Sequence, residues 1–212
     1  LCSYVIIYGY GPFITAGLGG DGQPAAVVAA GRQQVAAVRQ GEGEGFLAVP
    51  IEIELFAPCI IDRAGLVGYD GETHHGIFDL SYLGSMPNMT ILSPATLDQL
   101  EYMLDFAINK FNAPIAIRYP RGGTESENVP SAFTLGQAQC IQNGSDVTII
   151  ATGRMVKRAE EVAKLTTKSV EILAMPTIKP LDTKSIIESA KKTGSVITIE
   201  DNVKIGGMGS MI

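Results

Sequence analysis

From residue 59 onward, short apolar runs alternate with amphipathic stretches. In residues 97–111 the apolar side chains recur every three or four positions, which predicts a helix that begins near Pro94 and Thr96. Apolar runs on either side of it, at 58–62 and 114–119, predict strands. Strands that alternate with helices are typical of a parallel sheet covered by helices, so the pattern predicts an α/β fold.

A second set of alternating elements follows a stretch without periodicity. Residues 122–133 are rich in Gly, Ser, Glu, Asn and Pro, which predicts a linker and a domain boundary. The pattern beyond it predicts a βαβαβ unit, with strands at 146–151, 170–174 and 195–199 and helices at 156–165 and 183–192. Gly, Ala, Val and Gln dominate residues 1–56, and because glycine at this density disfavours regular elements, no fold is assigned there.

Composition narrows the classes of function. Hydrophobic residues make up 46% of the 212 positions, enough to bury a substantial core. The net charge of −6 and the lack of a basic patch argue against a nucleic acid or an anionic membrane as a partner. No apolar run reaches the ~20 residues that cross a bilayer, so the expected compartment is the cytoplasm, or the plastid stroma in a plant or alga. Cys2, Cys59 and Cys140 lack metal-ligand spacing and are expected to be reduced.

The densest polar cluster, residues 62–76, directly follows a predicted strand. In open parallel sheets, ligands bind outside the carboxyl ends of the strands, so a site is expected here. Arg63 offers contacts to an anion, while Asp70 and His74 belong to a group of carboxylates and imidazoles that can move protons. A second basic element at 118–122 follows the next predicted strand and could converge on the same crevice to hold a phosphate.

The same residues also have plainer interpretations. An Asp-Arg pair after a strand, such as Asp62 and Arg63, is more often a local ion pair than a site. Successive side chains of an extended segment point to opposite sides, so at most one of His74 and His75 can face a pocket.

Long strings of the chain resemble one family. The strings at 61–68, 70–71, 73–76, 78–83 and 87–89 closely resemble the pyrimidine-binding domain of 1-deoxy-D-xylulose-5-phosphate synthases. The run from Arg118 to Gly122 extends the resemblance, and the segments at 179–182, 200–203 and 206–210 resemble the opening of that family's C-terminal domain. Transketolases share the Asp-Gly-x-Thr-His core but usually lack Asp-Arg-Ala-Gly, which favours the synthase.

The resemblance implies a fold and an activity. It divides the chain into an unassigned segment (1–56), a parallel-sheet pyrimidine-binding domain (57–122), a linker (123–135) and a truncated transketolase C-terminal α/β domain (136–212). The family uses thiamine diphosphate and Mg²⁺ to condense pyruvate with glyceraldehyde 3-phosphate, releasing carbon dioxide, for isoprenoid, thiamine and pyridoxal synthesis. Its members pair as homodimers.

The resemblance also implies residue roles. His74 is expected to hydrogen-bond the substrate or the intermediate, and Asp70 is expected to contact substrate hydroxyls. Arg63 and Arg118 are expected to hold the phosphate of the acceptor substrate.

The first segment departs from the family. Tyr8 stands near the place of the glutamate that activates the cofactor, and Glu52 and Glu54 are too close to Asp62 in sequence to replace it. The run Gly20-Asp21-Gly22 is similar to the metal and diphosphate motif, but no asparagine occurs before Asn88. We therefore expect the diphosphate and metal site in a missing upstream domain, and no synthase activity from this chain alone.

Three interpretations remain open. The first is a partial synthase whose first 56 residues are corrupted or read in a wrong frame, and it is the one that the abrupt change near Cys59 favours. The second is a split, transketolase-like C-terminal subunit that completes its site with a separate partner. The third is a catalytically dead scaffold or binding module.

Overall fold

The chain divides into two compact units, Leu1–Leu55 and Phe56–Ile212. The structure, a computed structural model, describes four strands of the first unit and, in the second, residues 58–122 and 126–212. In the part of the chain that it describes, no helix is long and apolar enough to cross a bilayer.

The first unit contains an antiparallel sheet. Its strands, β1 (Phe13–Ala16), β2 (Ala25–Ala30), β3 (Gln33–Val38) and β4 (Leu47–Ile51), pair with their neighbours in chain order. The sequence left this segment without an assigned fold because of its glycine density. The strands that pair are formed by the Val- and Ala-containing segments.

The second unit is α/β, as predicted. In chain order its elements are β5 (Cys59–Ile61), α1 (Asp79–Ser85), β6 (Thr90–Leu92), α2 (Leu97–Asn109), β7 (Ile115–Arg118), β8 (Gln139–Gln142), β9 (Val147–Ala151), α3 (Met155–Leu165), β10 (Val170–Ala174), β11 (Thr177–Lys179), α4 (Thr183–Thr193) and β12 (Val196–Ile199).

Two mixed sheets organise this unit. The first has the order β11-β6-β7-β5, with β5 and β6 parallel to β7 and β11 antiparallel to β6. The second has the order β12-β9-β10-β8, with β9 parallel to both β10 and β12 and β8 antiparallel to β10. Because β11 comes from the C-terminal half of the chain but pairs with β6, the two predicted domains share one sheet.

Among residues 58–122 and 126–212, apolar residues of the strands and helices form three buried clusters, which explains the predicted periodicity. In α2, Met103 and Ala107 pack with Ile115 and Ile117 of β7, and all four are buried. Polar caps fix where helices begin: the Thr96 hydroxyl accepts a hydrogen bond from the Gln99 amide at 3.1 Å. The second core cluster joins β9, β10 and α3.

Candidate functional site

The candidate site lies where two neighbouring parallel strands end. Ile61 of β5 is paired with Arg118 of β7, so the loops that follow these strands leave the sheet side by side. The Tyr119 amide donates to the Ile61 carbonyl at 3.0 Å, and the Ala64 amide donates to the Tyr119 carbonyl at 2.9 Å. These bonds join the loop at 62–76 to the loop at 119–122.

Asp70 stands between two arginines in this site. Its carboxylate accepts a hydrogen bond from Arg63 Nε at 2.8 Å, and its other oxygen pairs with the guanidinium of Arg121. The Asp70 side chain is only 16% exposed, while those of Arg63 and Arg121 are 36% and 55% exposed. Each guanidinium has five N–H donors, so both arginines can bind an anion from solvent while Asp70 orients them.

Backbone hydrogen bonds hold the Arg63 loop in an uncommon conformation. Arg63 has a φ of 60°, in the left-handed region that non-glycine residues seldom adopt. The Gly76 amide donates to the Arg63 carbonyl at 3.0 Å, and the Gly65 amide donates to the Gly76 carbonyl at 2.9 Å. A Cβ at Gly76 would lie 2.4 Å from the Arg63 carbonyl oxygen, so this pairing requires glycine.

The two histidines have different environments. Nδ1 of His75 accepts a hydrogen bond from the Val67 amide at 3.1 Å, and His75 is partly buried. His74 is exposed, with Nδ1 3.2 Å from the Thr73 hydroxyl oxygen. His75 therefore holds the loop together, whereas His74 presents its ring to solvent, where a substrate could reach it.

Arg118 lies in a buried network. Its side chain is 3% exposed, and Nε donates to Asp79 Oδ2 at 2.7 Å. The other Asp79 oxygen accepts from Asn202 Nδ2 at 2.6 Å, and both terminal nitrogens of Arg118 have partners 3.4 Å away, the Ser93 hydroxyl and the Asp201 carbonyl. A guanidinium engaged on all three nitrogens is poorly placed to bind the phosphate expected of it.

Arg121 is the arginine of this motif that faces Asp70. The difference comes from the structure, because all four residues of β7 are buried and Arg118 is the last of them. Arg121 follows in the exposed loop, as the chain leaves the sheet.

Tyr82, on α1, lies near the buried Arg118–Asp79 pair. Partial burial raises the pKa of the Tyr82 phenol, and the negative charge of Asp79 raises that pKa further. The phenol therefore stays protonated well above neutral pH, and as an O–H it can donate a hydrogen bond.

The described residues do not fit a magnesium diphosphate. In the ranges 58–122 and 126–212, no group of three or more His, Cys, Asp or Glu side chains is placed to hold a metal ion. Magnesium requires near-octahedral oxygen ligands, which the pairs Asp62–Arg63 and Asp70–Arg121 do not provide. Tyr8, Gly20-Asp21-Gly22, Glu52 and Glu54 lie outside the described residues, so the interpretations placed on them stay predictions.

Two family models match the chain. "Transketolase, pyrimidine binding domain" matches residues 54–126, and "Transketolase, C-terminal domain" matches residues 136–212.

The chain is also similar to proteins named 1-deoxy-D-xylulose-5-phosphate synthase. It is 48% identical to that of Clostridium perfringens over 156 residues, which is 70% of this chain and 25% of the relative. It is 40% identical to that of Heliobacterium modesticaldum over 164 residues, which is 74% of this chain and 25% of the relative. The chain thus spans about a quarter of the length of these relatives.

Solved structures share the fold. One, titled "Split gene transketolase, inactive beta4 tetramer", has a TM-score of 0.65 and 32% identity, and the match covers 72% of this chain and 50% of that one. Transketolase from Leishmania mexicana has a TM-score of 0.58 at 21% identity, covering 69% of this chain and 23% of that one.

Proposed function

Because the chain belongs to the transketolase family, on the two domain models that match it, we propose that it is part of a 1-deoxy-D-xylulose-5-phosphate synthase. The relatives of that name are transketolase-type transferases, and the family depends on thiamine diphosphate. In the proposed reaction, pyruvate loses carbon dioxide and its remaining two carbons join glyceraldehyde 3-phosphate. The product serves isoprenoid, thiamine and pyridoxal synthesis, in the cytoplasm or a plastid.

The observation that carries the proposal is the cluster of Arg63, Asp70 and Arg121 at the carboxyl ends of β5 and β7. Arg63 and Arg121 are both partly exposed and share the Asp70 carboxylate, and Arg63 also pairs with the exposed Asp62. The remaining N–H donors of the two arginines form the proposed site for a phosphate, because the carboxylates offset the repulsion between the guanidiniums and fix their planes before the ligand arrives. We assign the acceptor's phosphate to Arg63 and Arg121, replacing Arg118, whose donors are engaged in the buried network.

The remaining roles follow from exposure. His74 is the histidine of the loop that a substrate can reach, and we propose that it hydrogen-bonds the substrate. Asp70 orients the two arginines of the proposed phosphate site, and we propose that it also accepts a hydrogen bond from a hydroxyl group of the acceptor substrate. Because the described residues do not fit a magnesium diphosphate, we propose that the metal and the diphosphate are bound by residues outside 58–212.

Phosphate binding tests this proposal without requiring turnover. The purified chain is titrated with glyceraldehyde 3-phosphate and with inorganic phosphate, and binding is followed on the arginine Nε–H signals by NMR. We expect Arg63→Gln and Arg121→Gln each to weaken binding about tenfold or more, the loss expected for a charge-assisted hydrogen bond. Arg158→Gln is the matched control, since Arg158 is 67% exposed on α3 and pairs with Glu161. Equal binding by all four proteins would refute the phosphate site.

A split subunit is the second candidate, and the likeness to the split-gene transketolase favours it. That match is at 32% identity and covers half of that chain, a larger share than the quarter of the full-length synthases. On this proposal the chain associates with copies of itself and completes its site with a separate subunit. Thiamine diphosphate would then bind only after the two are mixed, whereas a dead scaffold would bind none in either condition.

A further inference from the structure

The segment after β12 runs along the loops of the candidate site. The Asp201 carboxylate accepts a hydrogen bond from the Leu66 amide at 3.3 Å. The Val203 amide donates one to the Ile77 carbonyl at 3.0 Å. The Ser81 hydroxyl donates one to the Ile205 carbonyl at 2.8 Å. Each of these bonds joins the C-terminal half of the chain to residues between 66 and 81.

Asp201 is the centre of these contacts. Its side chain is 13% exposed and forms an ion pair with Arg154, which precedes α3. Arg154 also donates to the Leu66 carbonyl at 2.9 Å, so Asp201 and Arg154 together hold both the N–H and the C=O of Leu66. We call these two residues the Leu66 clamp. It fixes the backbone between Arg63 and Asp70, three and four residues away.

Gly65 has the shape that the clamp requires. Its φ is 82°, and a Cβ built on it would lie 2.0 Å from Asp201 Oδ2. The carboxylate therefore reaches the Leu66 amide only because residue 65 has no side chain. This observation is independent of the hydrogen bonds, and it identifies the same carboxylate.

We infer that Asp201 is a positioning residue for the phosphate site: through the Leu66 clamp it sets the loop that carries Arg63 and Asp70, so anion binding depends on the C-terminal half of the chain. The inference rests on the proposed phosphate site. The direction in which the phosphate affinity changes distinguishes it from a simple effect of charge. Removing the negative charge of Asp201 should strengthen the binding of an anion if only charge matters. If Asp201 positions the loop, the same change should weaken binding.

The experiment uses Asp201→Asn, with Glu188→Gln, an exposed carboxylate on α4, as the control of equal charge change. Inorganic phosphate binding is measured by NMR, and amide hydrogen exchange is measured across residues 62–76. We expect Asp201→Asn to weaken phosphate binding about fivefold to tenfold and to speed exchange at Leu66 roughly tenfold. The control should leave exchange unchanged and should not weaken binding.

Gly65→Ala provides a second route, because it displaces Asp201 without changing any charge. It should weaken binding at least as much, because alanine is also strained at a φ of 82°. Adding Asp201→Asn should weaken binding no further than Gly65→Ala alone, since the contact is already lost. Unchanged or tighter phosphate binding by Asp201→Asn would overturn the inference, as would unchanged exchange at Leu66. If the wild-type chain binds no phosphate, the proposed function fails as well. Faster exchange in the variant would then show the clamp to be structural only.

Discussion

The arginines of the 118–122 motif are separated by two residues but differ in what their loss should do. Arg118 is paired with Asp79 at 3% and 1% exposure, whereas Arg121 is half exposed. Arg118→Leu leaves a buried carboxylate without its countercharge, and we expect it to lower the free energy of unfolding by about 3–5 kcal/mol. Arg121→Gln should change it by about 0.5 kcal/mol or less. Urea unfolding measures both, and equal losses would contradict the assignment of the two side chains.

The adjacent histidines provide a second matched pair. His75→Ala leaves the Val67 amide without its acceptor, and Val67 is 9% exposed, so the loss should be about 1–3 kcal/mol of stability. His74→Ala removes an exposed ring and should leave stability within about 0.5 kcal/mol. Thermal unfolding of the two variants measures which substitution lowers the stability more. A greater loss for His74 would mean that the roles are reversed.

At this scale the sequence pointed to the loops after β5 and β7, and the roles it gave to their residues stay predictions. The proposal keeps His74 and replaces Arg118 with Arg121. The extended alternation of side chains predicts that at most one of His74 and His75 faces a pocket, and the two histidines have different contacts. Which histidine it is depends on the Val67 amide, and which arginine is exposed depends on where β7 ends. Both depend on tertiary structure and cannot be predicted from the residue types alone.

Among the elements, α4 offers a test by pH. Burial opposes ionisation of Asp182, but hydrogen bonds from the amides of Ser185 and Ala138 outweigh it and lower the pKa of that carboxyl. The pKa is lower in the folded state than in the unfolded chain, so Asp182 stabilises the fold above the unfolded value of about 3.9. This contribution is lost as the pH falls through the folded pKa.

We therefore expect Asp182→Ala to cost about 1 kcal/mol at pH 7, the usual value of an N-cap, and less than that once the pH falls below the folded pKa of Asp182. Urea unfolding at several pH values measures the difference. Glu188→Gln, on the exposed surface of the same helix, serves as the reference. A difference that did not shrink in acid would assign the stabilisation to something other than the ionised carboxylate.

The regular elements were predicted well where periodicity was long. The helix predicted at 156–165 is observed as Met155–Leu165, and the strand predicted at 170–174 is observed at the same residues. The pattern did not predict β6 or β11, which are three residues each and show no period. β5 is equally short, but it lies within the apolar run at 58–62 that the pattern did mark. The pairing of β6 with β11 is long-range, so no local signal identifies it.

For the whole molecule, the proposals predict that the purified chain alone gives no synthase turnover. The matched part of the chain covers only a quarter of its relatives, and the described residues do not fit the metal and diphosphate. Release of carbon dioxide from pyruvate in the presence of glyceraldehyde 3-phosphate and thiamine diphosphate measures this. Any turnover abolished by Arg121→Gln would contradict the prediction, while turnover that appeared only after adding an amino-terminal subunit would favour the split enzyme.

The α/β class of the second unit followed from the sequence. The predicted boundaries at 57–122, 123–135 and 136–212 remain predictions. Residues 56–212 form one compact unit, because β11 and the 201–205 segment both contact the first half. The composition of the first 56 residues did not distinguish an irregular segment from a sheet. The structure describes an antiparallel sheet of β1 to β4 in part of that segment.

The position of β11 also limits where such a polypeptide could be divided into two separately encoded chains. In the first sheet β6 is an inner strand only because β11 lies beside it. A polypeptide that stopped in the 123–135 stretch would carry β5, β6 and β7 but would leave one side of β6 with unpaired backbone groups, the kind of edge that recruits other chains. The shortest N-terminal product with that edge covered must continue through Lys179. Expression trials of shorter pieces should therefore yield aggregates.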